Sequence, residues 1–511
     1  MKTICFILCI TLLSSLAFAQ SPEIEWGPIT EYSKGEYNNR VIGHDADGFY
    51  VLKTTGNYTI DNGNIFLDYY ASLNYEYETS VQVFLPTVDG MFSEFLDLFY
   101  INSKLVLITT VTDTKKKMRS AYIQKLKEDG TLDGQPILIG SLSLANSDTE
   151  KFDVKLLADN QIMVTALNSF EKYSGQAVKI KIFDSSLNLV LDKSLELPLT
   201  GRNFSITQIE YGKSGRLFFA IKAEQVSTKA ARVKKYDDLI LIYNKHTEAF
   251  ETITILIEKY IASDFMISVD AQENLIAFGF IIPKSSPNYT GVFYNKIDPK
   301  TLKVEKNTSA LFSREMIAEF ADPRNGENLE DYYRFNLKNI LFTQNGYTVF
   351  LAEQHFNTTK VLIDPKTKAE EKIFYYNQND IIAACADKDG KVLWSSRIPK
   401  NQQSINDNEF YLSFAAASTP YGDKVKVLFM DNPSNLTINS VADVKEMKRP
   451  AKGVATLLTI YMDGTVDKVR LYDSENIKYM FSPKTFYRLN NLFLVEGIMG
   501  KTSKFGGLKL E

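Results

Sequence analysis

Cysteine is almost missing from this chain. Of three cysteines in 511 residues, Cys5 and Cys9 lie within the first ten positions, and only Cys385 follows. One thiol cannot form an internal disulfide, so the bulk of the chain must be held together by its core. Cys385 lies in "DIIAACADKDG", an apolar strand context, and reads as a buried, inert thiol rather than a nucleophile or metal ligand. Histidine is equally scarce. His44, His246 and His355 show no H-x-x-H or H-E-x-x-H spacing, which excludes the common histidine zinc arrangements. There is no phosphate-binding P-loop, no dinucleotide fingerprint and no G-x-S-x-G elbow, so no cofactor or metal is expected. Asp45-Ala46-Asp47-Gly48 and Asp387-Lys388-Asp389-Gly390 lack the rest of a calcium loop and read as hairpin turns. The net charge of −4 argues against a general nucleic-acid binder. Helical periodicity is confined to "SREMIAEFA" from Ser313, which argues against an α/β fold. No Pro/Ser/Gly-rich linker divides the chain.

The first twenty residues stand apart. Lys2 gives a positive start, "ICFILCITLLSSLAF" an apolar stretch, and Ala17-Phe18-Ala19 a small-residue cleavage site. Residues 1–19 are therefore expected to be a signal peptide, with Gln20 as the first mature residue. No later stretch is long and apolar enough to cross a bilayer, so no transmembrane segment is expected in the mature chain. An exported protein is implied, periplasmic or outer-membrane-associated, alternatively extracellular. Six N-x-[ST] sequons matter only in a eukaryotic secretory pathway.

What is abundant is aromatic and repeated. The chain has 33 Phe and 28 Tyr, which favour strands. A polar turn followed by an apolar strand recurs throughout. Its central residues are Gly48, Lys104, Asn160, Arg216, Asn274, Gly346, Lys424 and Asn491, spaced by 56, 56, 56, 58, 72, 78 and 67 residues. Such a period means a repeat architecture. The third unit parses into four strands. "FDVKLLA" turns at Asp159-Asn160 into "QIMVTAL", then "VKIKIFD" turns at "SSLN" into "LVLDKSLEL". D-G pairs in "LKEDGTLDG", "ADKDGKVL" and "YMDGTVDKV" supply the positive φ that short hairpins need. The second strand of each unit, such as "RLFFAI" or "LIAFGFII", is apolar on both faces and must lie between two layers.

The recurring motif resembles the secreted β-propeller proteins of bacteria, and the resemblance covers nearly the whole mature chain. WD40 and kelch signatures are absent, with only Trp26 and Trp394 present. The resemblance implies an all-β fold, one propeller domain over residues 20–511. Eight markers imply eight four-stranded blades, with seven as the alternative. The last unit supplies only three strands, near "KYMFSPKTF", "NLFLVEGIM" and "KFGGLKL". The fourth is expected from Glu23–Glu31, "EIEWGPITE", which would pair the two termini and close the ring, with Trp26 packed at the seam. The segment "KVLIDPKTKAEEKIFYY" near Lys360 reads as an insertion in the sixth unit.

Charge separates the loops. Those joining second to third strands are basic: Lys115, Lys116, Lys117 and Arg119 in one, Lys229, Arg232, Lys234 and Lys235 in another, and Lys445, Lys448, Arg449 and Lys452 in the seventh. The inter-unit loop "REMIAEFADPRNGENLEDYYR" is acidic through Glu315, Glu319, Asp322, Glu327, Glu330 and Asp331. Lys115–Lys117, Arg119, Lys229, Arg232, Lys234 and Lys235 are candidate contacts for a protein partner. The leading expectation is a non-enzymatic interaction scaffold. One role implied by the resemblance is a periplasmic accessory or plug subunit of an outer-membrane secretion translocon. The alternative expectation is a glycan- or peptide-binding or hydrolysing propeller that uses acidic residues at the channel mouth, for which paired carboxylates would be the mark.

Overall fold

The computed structural model describes residues 24–56, 65–144, 151–157, 160–167, 177–199, 202–224, 236–286, 288–320, 335–363, 365–471, 478–489 and 491–509. The expected signal peptide lies outside the described residues.

The described residues form eight antiparallel sheets of four or more strands, plus one short hairpin at Thr87–Val88 and Met91–Phe92. Seven sheets are simple meanders with strands paired in chain order, so each unit is built locally, as the repeat implied. The fourth runs Phe204–Tyr211, Arg216–Glu224, Tyr236–Asn244, Ala249–Thr254. The fifth runs Tyr260–Val269, Leu275–Pro283, Gly291–Ile297, Val304–Leu311. The sixth runs Phe335–Phe342, Thr348–Ile363, Glu370–Ala386, Val392–Ile405. Its middle strands, 16 and 17 residues long, run on past the sheet as one hairpin, so the expected insertion is a continuation of the same two strands.

Sheets pack face to face in chain order. The second strand "RLFFAI" shows how. Leu217, Phe219 and Ile221 enter the core shared with the third sheet, while Phe218 and Ala220 enter the core shared with the fifth. Alternate side chains of a strand point to opposite faces, so a strand apolar at every position joins two cores. Further cores link the first and second, second and third, fifth and sixth, sixth and seventh, and seventh and eighth sheets. Four-stranded meanders stacked this way are the arrangement of a β-propeller. One more core joins Val41, Phe49, Val51 and Tyr70 of the first sheet to Leu489, Leu494 and Phe505 of the eighth.

The eighth sheet contains both ends of the described chain. Ile24–Trp26 pairs antiparallel with the last strand, Ile24 opposite Leu508 and Trp26 opposite Gly506, and Thr30–Glu31 pairs further along it. Trp26 stacks on Tyr479 at 6.4 Å between ring centroids, and the Lys504 ammonium lies 4.5 Å from a Trp26 ring centroid. Glycine makes room for the indole. A Cβ on Gly506 would come within 2.8 Å of the Trp26 ring. The innermost strand expected from "KYMFSPKTF" is instead two short strands, Met480–Phe481 and Tyr487–Leu489, separated by a 3₁₀ turn at Pro483–Thr485. Pro483 brings no N–H to a ladder and starts that turn.

Candidate functional site

The first strand of each meander begins at the end of the sheets that carries the second-to-third-strand loops and the inter-sheet connections. There the fourth, fifth and sixth sheets share one structural device. The pairing of first with second strand slips between Ile206 and Gln208, between Ala262 and Phe265, and between Leu337 and Asn339. Each slip leaves residues out of the ladder: Thr207, then Ser263 and Asp264, then Lys338. A bulge re-aims a side chain that a regular strand would commit to one face. All four of these residues line one cavity of about 540 Å³.

The cavity holds two carboxylates linked by a lysine. Lys222 Nζ is 3.0 Å from Asp264 Oδ1, and Lys222 sits directly opposite Asp238 in the neighbouring strand. The Tyr289 hydroxyl donates to Asp264 Oδ2. Tyr289 is itself fixed, its ring stacked on Phe280 at 4.3 Å. Asp264 is therefore held from two sides by a cation and a hydroxyl, the environment of a carboxylate. Asp238 differs. Burial pushes its carboxyl up to about 8, the charges of Asp264 and Asp237 add to the push, and Lys222 opposes it. For Lys222, burial works against the charge, but Asp264 and Asp238 outweigh it and its affinity for the proton is raised. Burial, then the charge of Asp264, raises the Tyr289 phenol. The cavity thus sets an Asp238 carboxyl whose hold on its proton is raised by burial beside an Asp264 carboxyl gripped by an ammonium and a hydroxyl, an arrangement suited to general acid–base chemistry.

The raised Asp238 makes stability pH-dependent in a definite direction. In the unfolded chain this side chain ionises near its ordinary value, 3.8, and in the folded protein only near about 8. As pH rises between those values the unfolded state loses its proton first, so the group withdraws stability from the fold across that window. Asp238→Asn should therefore gain stability relative to the wild type from pH 4 to pH 8, measured by urea unfolding at both. A difference that stays flat with pH would contradict the raised value.

The basic loop residues are placed differently. Lys115, Lys116 and Lys117 are exposed in a tight turn whose backbone N–H groups at 115 and 116 donate to Asp113, and Lys116 pairs with Asp113 at 3.3 Å. Arg119 turns away from that group and pairs with Glu94 at 3.0 Å on the first strand of its own sheet. Lys229, Arg232, Lys234 and Lys235 lie outside the described residues, as do Asp322, Glu327, Glu330 and Asp331 of the acidic loop. Glu315 and Glu319 are on a short helix of seven residues, Arg314–Phe320. Among the described residues, the carboxylates of the cavity come from strands. Asp238 and Asp264 do not stand out in the sequence, because "YDDLILIYN" and "IASDFMISV" show each in a pair of polar residues beside an apolar run. The bulge that turns Asp264 inward leaves no local signature. Cys385 is fully buried, and burial pushes its thiol up to about 12, which removes it from chemistry at neutral pH. Among the described residues no helix is long and apolar enough to cross a membrane.

No family model matches the chain, and none of the curated proteins matches it by sequence. Solved structures do match. A polysaccharide lyase described as an ulvan lyase is 8% identical, with a TM-score of 0.37 over 88% of this chain and 99% of that one. An α-L-arabinofuranosidase from Fusarium graminearum is 10% identical, with a TM-score of 0.29 over 71% of this chain and 97% of that one. A β-fructofuranosidase from Bombyx mori is 14% identical, with a TM-score of 0.27 over 96% of this chain and 94% of that one. These are carbohydrate-active enzymes. They correct the expectation of a non-enzymatic interaction scaffold and of a secretion-translocon subunit.

Proposed function

We propose that the chain is an exported, eight-bladed β-propeller, closed between its first and last sheets by Ile24–Trp26, that hydrolyses glycosidic bonds in the cavity between the fourth, fifth and sixth blades. The blade count and closure are supported by the eight inter-sheet cores, the last of which joins the eighth sheet to the first. Export is supported by the pattern of residues 1–19. The observation that carries the activity is the Asp238–Lys222–Asp264–Tyr289 cluster, whose two carboxyl groups stand in different states, Asp238 with its proton affinity raised by burial and Asp264 gripped by an ammonium and a hydroxyl.

The chemistry follows from those states. Asp238, still protonated at neutral pH, donates to the glycosidic oxygen as the C1–O bond breaks. Positive charge grows on the sugar ring, and the carboxylate of Asp264 stabilises it. Water adds at C1 and gives up its proton to Asp264, so the leaving sugar gains one proton and the site recovers its own by exchange between the carboxyl groups. Lys222 and Tyr289 hold Asp264 in place without a cofactor. The rate should fall as pH rises past about 8, where Asp238 loses the proton it must donate.

The test is release of new reducing ends from a panel of neutral and acidic polysaccharides by the purified protein. Hydrolysis predicts reducing ends without an unsaturated sugar product. No release from any member of the panel, or release accompanied by an unsaturated product, would overturn the assignment.

A further inference from the structure

Lys338 stands at the third bulge of the cavity, and it shares its carboxylate partner with a second lysine. Its ammonium is 3.1 Å from Glu353 Oε2. The same carboxylate is 2.6 Å from Lys400, whose side chain is completely buried, and it accepts from the Ser413 hydroxyl. Lys400 Nζ is held in turn by the Gln378 carbonyl at 2.8 Å and Gln402 Oε1 at 2.7 Å. Two ammonium groups therefore share one carboxylate. Nearby, Arg397 pairs with Asp380, and Lys468 lies 3.8 Å from Asp431. Glu353 is thus the carboxylate that Lys338 shares with Lys400. On the other wall, Lys222 offsets Asp264.

Of this group, Lys338 lines the cavity, and its side chain keeps 26% exposure there. Lys400 has no route to solvent. Among the described residues, Lys338 is thus the member of this group that brings an ammonium to the cavity. Glu353, pinned by Lys400 and Ser413, also fixes where Lys338 stands. An ammonium held ready in a low-dielectric wall binds an anion more strongly than a mobile surface lysine does.

We infer that Lys338 selects an acidic glycan, binding a carboxylate or sulfate group on a sugar next to the bond that is cut, with Glu353 and Lys400 as its positioning residues. This rests on the reading of the cavity as a glycosidase site. The neutral state of Asp238 supports it, because a second full negative charge in the cavity would repel such a substrate.

The test compares matched substrates that differ only in charge: an oligogalacturonide against its carboxyl-reduced form, and a sulfated galactan against its desulfated form. The wild type should cut at least one charged member about ten- to hundred-fold more efficiently in kcat/KM than its neutral counterpart, the range of one charge-assisted hydrogen bond. The carboxylate and sulfate pairs show which group is used. Lys338→Met should remove that preference, raising KM for the charged member more than for the neutral one, and Lys338→Arg should restore most of it. A wild type that cuts neutral and charged members equally well, with Lys338→Met altering neither, overturns this inference and leaves the hydrolytic assignment standing. Failure of every substrate overturns both.

Discussion

A chain lacking residues 24–31 aggregates or melts far below the full-length protein. Those residues cover the outer edge of the last strand, pairing at Ile24–Trp26 and again at Thr30–Glu31. Removing them exposes a row of unpaired N–H and C=O groups, the template on which sheets add to one another. It also uncovers the apolar surface beneath Trp26, beside Tyr479 and Leu508. Trp26→Ala alone should cost about 3 kcal/mol, the low end for a large aromatic because the indole is only partly buried. Gly506→Val gives an independent check, since its side chain would meet Ile24 Cγ2 and the Trp26 ring. About 1–3 kcal/mol of destabilisation is expected from that overpacking. Thermal denaturation of the three variants measures this directly. Unchanged melting temperatures would mean that the terminal strand is not part of the folded unit.

Asp264→Asn and Asp238→Asn each lower kcat on a cleavable glycan by about 10²–10⁴-fold, the usual contribution of a positioned acid or base. They should differ otherwise. Asp264→Asn removes the charge that pairs with Lys222 and that helps hold the proton on Asp238, so the fall in rate at high pH should move to lower pH. Asp238→Asn removes the acid, so the fall in rate above pH 8 disappears along with most of the rate. Neither change should unfold the protein, because both side chains reach the cavity and neither packs in a core. Steady-state kinetics across pH 4–9 distinguish the two. Full activity in either variant would remove that residue from the mechanism.

The architecture was legible because it depends on short-range pattern. Turn-then-apolar-strand recurs, and the both-face apolar second strands require neighbours on two sides. The pairing of "EIEWGPITE" with the last strand followed from counting three strands where four were needed, and the register of Trp26 on Gly506 agrees with it. The site was hidden for the opposite reason. Asp238 and Asp264 are 26 positions apart on different sheets, and Lys338 lies 74 beyond Asp264. Only packing of three sheets, and a bulge in each first strand, brings them to one cavity. The basic loops were conspicuous because charge is readable residue by residue. Of the cations they offered, Lys115–Lys117 sit in an exposed turn and Arg119 is paired with Glu94. The lysines behind the site carry no mark in the sequence: Lys222, half-buried, lines the cavity, and Lys400, fully buried, shares Glu353 with Lys338. Periodicity does not show whether a lysine within a strand faces a carboxylate or water.

The most direct test of the account is the crystal structure of the Asp264→Asn variant with an uncut oligosaccharide bound. A sugar is expected in the cavity between the fourth, fifth and sixth sheets, with its glycosidic oxygen within hydrogen-bonding reach of the Asp238 carboxyl. An oligosaccharide seated elsewhere, with the cavity filled only by water, would contradict it.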